Sequence, residues 1–360
     1  MDVIKTSLII AIGITLYYLL LQWPVDSPSN DNTYTEDMGI NIISDSEPLL
    51  SQPLEPLSSL GESKEEVMSE ERSYYEIKNE NLSLYLDPIT GRFELSQLNK
   101  ISKTKDSQEP FVVLGPTYDE GLNRENIYFA NSGFYTRSQG YLNPEFSKIS
   151  QERMDGGGTV YTLEGSSKGM SFIRKIDIPV TGYKIIVEDV VRSSIEEQVS
   201  VTPYVVIERD GSVVEEGGLM YTYLGPVFSS TKDTYEKYDF DDIRDSSYQN
   251  KSVGGWVALI QHYFLSAWIP DQNEEYLYQG RYGDKSGRYS LGYTSRDFLI
   301  SYGESAATKN TLYVGPKLPK QLAEIEENLD LTVDYGFLWW LGKPMYWLLD
   351  LGHSIFNNWG

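Results

Sequence analysis

The sequence predicts a mainly β protein, a large antiparallel β-sandwich with an apolar segment at each end of the chain. From about Tyr74 onward, apolar residues alternate with polar ones, as in strands that bury one face. Turn signals rich in Gly, Asp and Pro recur between these stretches. Runs rich in Leu, Ile, Tyr and Trp lie outside the alternating region, at residues 6–23 and 331–360.

Composition narrows the classes of function. The chain has 360 residues, 40% of them hydrophobic, which is enough for one large core or two smaller ones. Its net charge is −23, and this argues against nucleic acid as a partner because phosphate neutralisation needs clustered Lys and Arg. The same charge disfavours broad attraction to anionic lipid, so we expect apolar segments to make any membrane contact. The absence of Cys excludes disulfides, thiolate catalysis and Cys-ligated zinc, and we expect no cofactor.

Residues 1–24 are predicted to form a transmembrane signal anchor. Thr6–Trp23 is an uncharged, mainly apolar run of 18 residues, close to the shortest length that spans a bilayer. Lys5 precedes the run and no Lys or Arg follows until after residue 63, so the amino terminus should be cytoplasmic. A cleaved signal peptide is the alternative, but no A-x-A-like site follows the run. The expected bilayer contacts are Leu8, Ile12, Leu16, Leu19 and Trp23.

Residues 25–72 are predicted to be a disordered acidic linker. The segment is rich in Ser, Asp, Glu and Pro, as in DSPSNDNTYTED. Such a composition cannot bury enough apolar surface to offset the loss of chain entropy on folding. We therefore expect an extended tether that repels itself.

Residues 73–330 form the predicted β body. Alternation in Leu82–Leu86, followed by the turn at 87–91, indicates a hairpin, and so does the pair 172–178 and 183–187. The best soluble helix is Leu318–Leu329, with Leu322, Ile325 and Leu329 on one face. Further strands are expected at residues 201–207, 218–224, 254–268, 289–293 and 311–314.

Aromatic residues in the predicted strand 254–268 are candidates for a peptide-accepting cleft. They are Trp256, Tyr263 and Trp268. Aromatic side chains in paired strands are more often core residues, and that interpretation is favoured. The Gly254-Gly255 pair before them indicates a tight backbone approach rather than a ligand loop.

A catalytic site is not expected. General acid–base chemistry could pair His262 with a carboxylate such as Glu236 or Glu274. His262 lies in a predicted alternating strand, however, and a structural histidine is the favoured interpretation. The only other histidine, His353, is far along the chain, so a zinc site is poorly supported as well.

Residues 331–360 are predicted to contain an amphipathic helix in the plane of a membrane interface. Polar residues from Lys343 to Asn357 follow steps of three and four, which places them on one narrow stripe of a helix. A narrow polar stripe on a broad apolar body suits an interface better than a span across the bilayer. A buried helix closing a soluble domain is the alternative. The expected membrane contacts are Trp339, Trp340, Trp347, Leu348, Leu351 and Ile355.

Three stretches carry a resemblance to a known family. VDYGFLWW at residues 333–340, followed by NNWG at 357–360, is similar to the segment before the membrane core of the YidC family of membrane protein insertases. TYEKYDFDDI at residues 234–243 and GGWVALIQHYFLSAWIP at residues 254–270 resemble the periplasmic domain of the same family. The resemblance covers mainly the second half of the body.

The resemblance implies a periplasmic β-supersandwich, similar in fold to galactose mutarotase-like domains, in the inner membrane of a Gram-negative bacterium. The implied function is insertion and folding of membrane proteins, without bond chemistry and hence without enzyme activity. The implied partners are the lipid bilayer, newly made membrane proteins and components of the Sec translocon.

The family's five-helix membrane core would follow Gly360, the last residue of the sequence. We therefore expect the chain by itself to act as the periplasmic and anchoring part of an insertase and not to insert substrates. A membrane-tethered carbohydrate-binding or mutarotase-like protein is the alternative from another class, and a structural adaptor of the envelope is a third.

Overall fold

Strands dominate the part of the chain that the structure, a computed structural model, describes: residues 74–119, 124–210 and 223–333. The first eleven strands are β1 (Tyr75–Lys78), β2 (Leu82–Leu86), β3 (Phe93–Ser102), β4 (Pro110–Val112), β5 (Thr117–Asp119), β6 (Arg124–Asn126), β7 (Tyr128–Thr136), β8 (Gly140–Leu142), β9 (Glu145–Arg153), β10 (Thr159–Ser167) and β11 (Met170–Ile178).

The second half of the body adds further strands and short helices. The strands are β12 (Lys184–Ser193), β13 (Val199–Asp210), β14 (Gly225–Ser229), β15 (Glu236–Lys237), β16 (Tyr248–Val253), β17 (Trp256–Ile260), β18 (Phe264–Ile269), β19 (Glu275–Gly283), β20 (Arg288–Thr294), β21 (Phe298–Ile300) and β22 (Ser305–Pro316). The helical segments are α1 (Phe240–Asp245), α2 (Pro319–Ile325) and a 3-10 helix (Leu329–Thr332).

Two antiparallel sheets form the sandwich. The large sheet has 11 strands, and its main path runs β1-β2-β3-β7-β13-β20-β19-β16. The small sheet has nine strands in the order β15-β14-β17-β18-β22-β12-β11-β10-β9. The predicted mainly β, antiparallel architecture is therefore confirmed. In this arrangement β16 ends one sheet and β15 ends the other.

The core lies between the two sheets and is crossed by hydrogen bonds from aromatic side chains. The indole of Trp268 in the small sheet donates to the carbonyl of Val206 in the large sheet at 3.1 Å. The hydroxyls of Tyr128 and Ser266 bond across the same space at 2.5 Å. Each bond satisfies a polar atom that would otherwise be buried without a partner.

Both predicted hairpins are present. Leu82–Leu86 is β2, and it pairs with β3 after the turn that ends at Gly91, which has a φ of +70°. The second predicted hairpin is formed by β11 and β12. Alternation predicted these strands well because each buries one face and leaves the other polar.

The predicted single strand 254–268 is wrong, because this segment forms the hairpin β17–β18 with a turn at residues 261–263. Both strands are buried along their whole length, so their apolar residues form one nearly continuous run. The turn, Gln261-His262-Tyr263, contains none of the Gly, Pro or Asn residues that usually mark a hairpin. His262 therefore lies in a turn and not in a strand. For the predicted strand 218–224, residues 218–222 lie outside the described ranges, and the last two precede β14.

The predicted helix Leu318–Leu329 is present but shorter, since α2 ends at Ile325. Glu326 is extended, and Asn328 adopts a left-handed conformation with a φ of +65°, which redirects the chain into the 3-10 helix. Leu322 and Leu329 are nevertheless both buried, as their shared face predicts. Together α2 and the 3-10 helix complete the end of the body.

The remaining segment predictions concern parts of the chain outside the described residues. These are the anchor at 1–24, the linker at 25–72 and the terminal helix, together with all eleven predicted bilayer contacts. Within the described ranges, none of the helices has the length and apolar character needed to cross a bilayer.

Candidate functional site

A groove opens at the edge of the sandwich where the terminal strands of the two sheets lie. It has a volume of about 590 Å³ and is lined by residues of β15, α1, β16 and the connecting turns. Its charged and aromatic lining includes Asp233, Glu236, Asp242, Asp245, Tyr238 and Tyr248.

Short elements that follow β14 build the groove. Glu236 in β15 lies opposite Phe228 of β14, so this short strand continues the small sheet outward. The next segment forms α1, in which Phe240 and Ile243 are buried and hold the helix against the body. The backbone N–H of Asp239 donates to the Asp242 carboxylate at 3.0 Å and so caps the first turn of α1.

Packed aromatic rings form part of the groove lining. Tyr248 stacks on Phe228 with ring centroids 3.9 Å apart, and Tyr238 lies 4.8 Å from Tyr248. The Tyr248 hydroxyl donates to the Glu236 carboxylate at 2.8 Å. This bond links β16 of the large sheet to β15 of the small sheet, so the two terminal strands are held together on either side of the groove.

The groove is electrostatically negative. Burial first, and then the neighbouring carboxylates of Glu236, Asp233 and Asp242, raise the pKa of Tyr238. Burial also raises the pKa of Tyr248. Both phenols therefore stay neutral at ordinary pH, and the charge of the groove comes from its four carboxylates and one lysine, Lys232. Such a lining favours a cationic ligand.

The predicted cleft aromatics do not share one environment. Trp256 and Trp268 are 0% exposed, as core residues are, whereas Tyr263 is 67% exposed in the turn between β17 and β18. Neither indole can present a face to a ligand in this structure. Gly254 and Gly255 have φ values of +62° and +92° at a close approach to Gln272 and Ser229, in agreement with the tight approach that the sequence indicates.

The structure separates the residues considered for acid–base chemistry. Glu274 lies beside the start of β17, since its carbonyl accepts the Gly254 N–H at 3.0 Å. His262 follows the other end of this five-residue strand, which places it roughly 15 Å away along the strand. Glu236 accepts the hydrogen bond from Tyr248 in the groove. Within the described ranges, no group of three or more His, Asp or Glu residues could hold a metal ion.

The groove cannot be recognised from local sequence because its walls come from different sheets. Asp241 and Asp242 have the composition of a solvated turn, and nothing in their spacing indicates that β15 and β16 meet. One signal was available: acidic residues alternate with aromatic ones in TYEKYDFDD, residues 234–242. Such mixing is unusual for a plain solvated loop.

Comparison with known proteins gives a consistent result. The profile of the YidC periplasmic domain family matches residues 74–348. "Membrane protein insertase YidC" of Shewanella halifaxensis is 32% identical over 283 residues, which is 78% of this chain and 52% of that protein. The Haemophilus influenzae protein of the same name is 30% identical over 375 residues, covering 100% of this chain and 65% of the relative. The chain thus spans between half and two thirds of the length of these relatives.

Two solved structures illustrate a distant similarity of fold. A GH36 α-galactosidase from Geobacillus stearothermophilus superimposes with a TM-score of 0.48 and 7% identity, covering 70% of this chain and 42% of that one. A galactose mutarotase-like protein from Lactobacillus casei gives 0.41 and 7%, covering 67% and 100%. The family profile covers most of the chain, and the chain therefore belongs to the YidC family, with its β body as the YidC periplasmic domain.

Proposed function

We propose that this chain forms the anchoring and periplasmic part of a YidC-type membrane protein insertase of the bacterial inner membrane. The observation that carries the proposal is the match of the periplasmic-domain profile to residues 74–348. Relatives that cover the whole chain bear the name "Membrane protein insertase YidC". The flanking apolar segments of the sequence agree with a protein attached to a membrane at two places.

In this proposal the chain has four parts. Residues 1–24 anchor it with the amino terminus in the cytoplasm, residues 25–72 form the tether, residues 73–330 form the periplasmic body, and residues 331–360 carry the interfacial helix. The proposed bilayer contacts are the eleven apolar residues of the two terminal segments that the sequence predicts.

The end of the body supports a role in positioning the interfacial segment. Leu322 of α2 and Leu329 of the 3-10 helix are buried against the body. The Trp256 indole donates to the carbonyl of Glu327, between the two helices, at 3.3 Å. The chain therefore leaves the body from a fixed place. A fixed exit point lets the body set the height and direction of the segment that follows.

The reaction that we propose for the whole protein is transfer of polypeptide into the bilayer, without bond chemistry. A charged residue at the bilayer centre costs about 2.5–3.5 kcal/mol on insertion scales, so a polar path through the membrane lowers a substantial barrier. The proposed partners are the lipid bilayer, newly made membrane proteins and components of the Sec translocon. Carbohydrate binding has only the β architecture in its favour, and an architecture does not determine a function.

A chimera tests the proposal. This chain would replace the aligned part of the Haemophilus influenzae relative, and the chimera would be expressed in cells depleted of their own insertase. We expect it to restore membrane insertion of a reporter protein to a level close to that of the intact relative. A chimera that is folded and membrane-bound, yet leaves insertion at the depleted level, would contradict the proposal.

A further inference from the structure

The outer edge of the large sheet is open at β16. This strand pairs with β19 on one side and is the last strand of its sheet in the described part of the chain. The backbone N–H of Gly254, just after β16, donates to the backbone carbonyl of Glu274, just before β19, at 3.0 Å. This bond identifies which residues of β16 form hydrogen bonds with β19. Hydrogen bonding alternates along an antiparallel pair. The backbone groups that point away from β19 are therefore those of Gln249, Lys251 and Val253.

The edge is accessible and regular. The side chains of Gln249, Lys251 and Val253 are all exposed, Val253 by 48%. The register with β19 is continuous over six residues, without a bulge, and β16 contains no Pro. Bulges and Pro are among the features that usually block the edge of a sheet. A regular, exposed edge can pair with an additional strand.

The groove lies next to this edge. Tyr248, Gln249 and Asn250 of β16 line it together with the carboxylates of Asp233 and Asp245. A strand added along β16 would therefore place some of its side chains beside these carboxylates. Basic side chains would be favoured there and acidic ones repelled.

We propose that the β16 edge binds an extended, basic segment of another polypeptide as an added strand, with the groove carboxylates selecting its Lys or Arg side chains. The backbone supplies affinity and the carboxylates supply specificity. This proposal does not depend on insertase activity.

Charge argues against two other occupants. The linker of this chain, residues 25–72, is strongly acidic and would be repelled by the groove. A second copy that paired edge to edge about a two-fold axis through β16 would bring the Lys251 side chains of both copies, and both acidic grooves, close together. A foreign basic segment is attracted by the groove, and it avoids repulsion from Lys251 when the residues that face this side chain are uncharged.

Peptide binding to the full-length chain in detergent micelles tests the proposal. The probe is a fluorescein-labelled ten-residue peptide with Lys at alternate positions and Thr or Val between them, followed by fluorescence anisotropy. One control peptide carries Glu instead of Lys. A second carries backbone N-methyl groups, which block strand pairing and keep the charge. We expect only the unmodified Lys peptide to bind.

Matched variants separate the two parts of the site. Lys251→Pro removes an outward N–H that β19 does not use, whereas Lys251→Thr keeps it. We expect the Pro variant to bind about three- to tenfold more weakly than the Thr variant. Replacing Asp233 and Asp245 together with Asn should weaken binding about two- to fivefold and reduce its salt dependence. Glu152→Gln on β9, at the far edge of the small sheet, should change nothing.

Three results would overturn the proposal. The N-methylated or Glu peptide could bind as well as the Lys peptide. The Pro and Thr variants, both folded by circular dichroism, could bind equally. Finally, the free protein could form dimers that Lys251→Pro abolishes, which would make β16 a contact between copies of this chain.

Discussion

The Arg174 guanidinium donates from Nε to the Asp189 carboxylate at 2.6 Å inside the sandwich, with the two side chains only 2% and 6% exposed. The two residues lie directly opposite each other on β11 and β12 of the small sheet. Arg174 also donates to the backbone carbonyls of Gly91 and Ser132, and Ser132 belongs to β7 of the large sheet. One buried charge pair thus ties the two sheets together.

Asp189→Asn should destabilise the body by about 3–5 kcal/mol, because it leaves the Arg174 charge buried without its counter-ion. Urea denaturation followed by circular dichroism would measure the change. Lys148→Met provides the control. It breaks the exposed pair Lys148–Glu164 and should cost less than about 1 kcal/mol. Similar losses in both variants would show that burial does not govern the effect.

Gly255→Ala should destabilise the protein more than Gly182→Ala. Both glycines have positive φ, +92° and +98°, so both substitutions should cost about 1–2 kcal/mol of backbone strain. A Cβ at Gly255 would also collide with the carbonyl oxygen of Ser229, whereas nothing lies within 4 Å of one at Gly182. The difference in Tm between the two variants measures the effect of this collision on stability. An equal fall in Tm would contradict this structural explanation.

Trp256→Phe should loosen the exit of the chain from the body. The substitution keeps a buried ring but removes the hydrogen bond to Glu327, at a cost of about 1 kcal/mol. Hydrogen exchange of the Leu331 and Val333 amides, which bond within the 3-10 turn, should become about fivefold faster.

Trp268→Phe is the matched control for this experiment. It also removes one indole hydrogen bond, to the Val206 carbonyl between the sheets. It should lower global stability by a similar amount and leave the relative exchange of the 3-10 turn unchanged. If both variants accelerated exchange there equally, the Trp256 bond would have no special positioning role.

Sequence predicted some of these features and not others, for physical reasons. Strands such as β11 and β12 bury one face only, so alternation reveals them. The hairpin β17–β18 is buried on both faces, and its periodicity disappears. The groove and the Arg174–Asp189 pair depend on which strands become neighbours, and local sequence does not contain that information. The α2 helix was found because the spacing of Leu322 and Ile325 is local, but its early end lies at Glu326, where the backbone becomes extended.

Buried tyrosines predict a loss of stability at alkaline pH. Burial raises the pKa of Tyr128 from 10 to about 12. Because the folded pKa lies above the unfolded one, this contribution to stability is complete below about pH 10 and is lost as the pH rises through about 12. Urea unfolding at about pH 9 and about pH 11 should show the decrease.

A double variant assigns part of this decrease to Tyr128. Tyr128→Phe combined with Ser266→Ala removes both partners of their hydrogen bond, so neither hydroxyl is left buried alone. Between about pH 9 and about pH 11, the free energy of unfolding should decrease in both proteins. The decrease should be about 1–2 kcal/mol smaller in the double variant than in the parent. Tyr302→Phe, at a ring that is 67% exposed, should not alter the pH dependence. A double variant with the same pH dependence as the parent would exclude this role of Tyr128.

Charge placed on the apolar face of the predicted terminal helix should release it from membranes. Leu348→Asp and Leu351→Asp each place a carboxylate on the face proposed to contact lipid, whereas Asp350→Asn changes the polar stripe and keeps the apolar face. Flotation with liposomes would use proteins that lack only the anchor segment 6–23. Any binding to the liposomes would then come from the terminal helix. We expect both Leu variants to lose most of their binding and the Asn variant to keep it. Equal binding of all three would mean that this helix does not lie at the interface, and a buried helix that closes the body would then be the better interpretation.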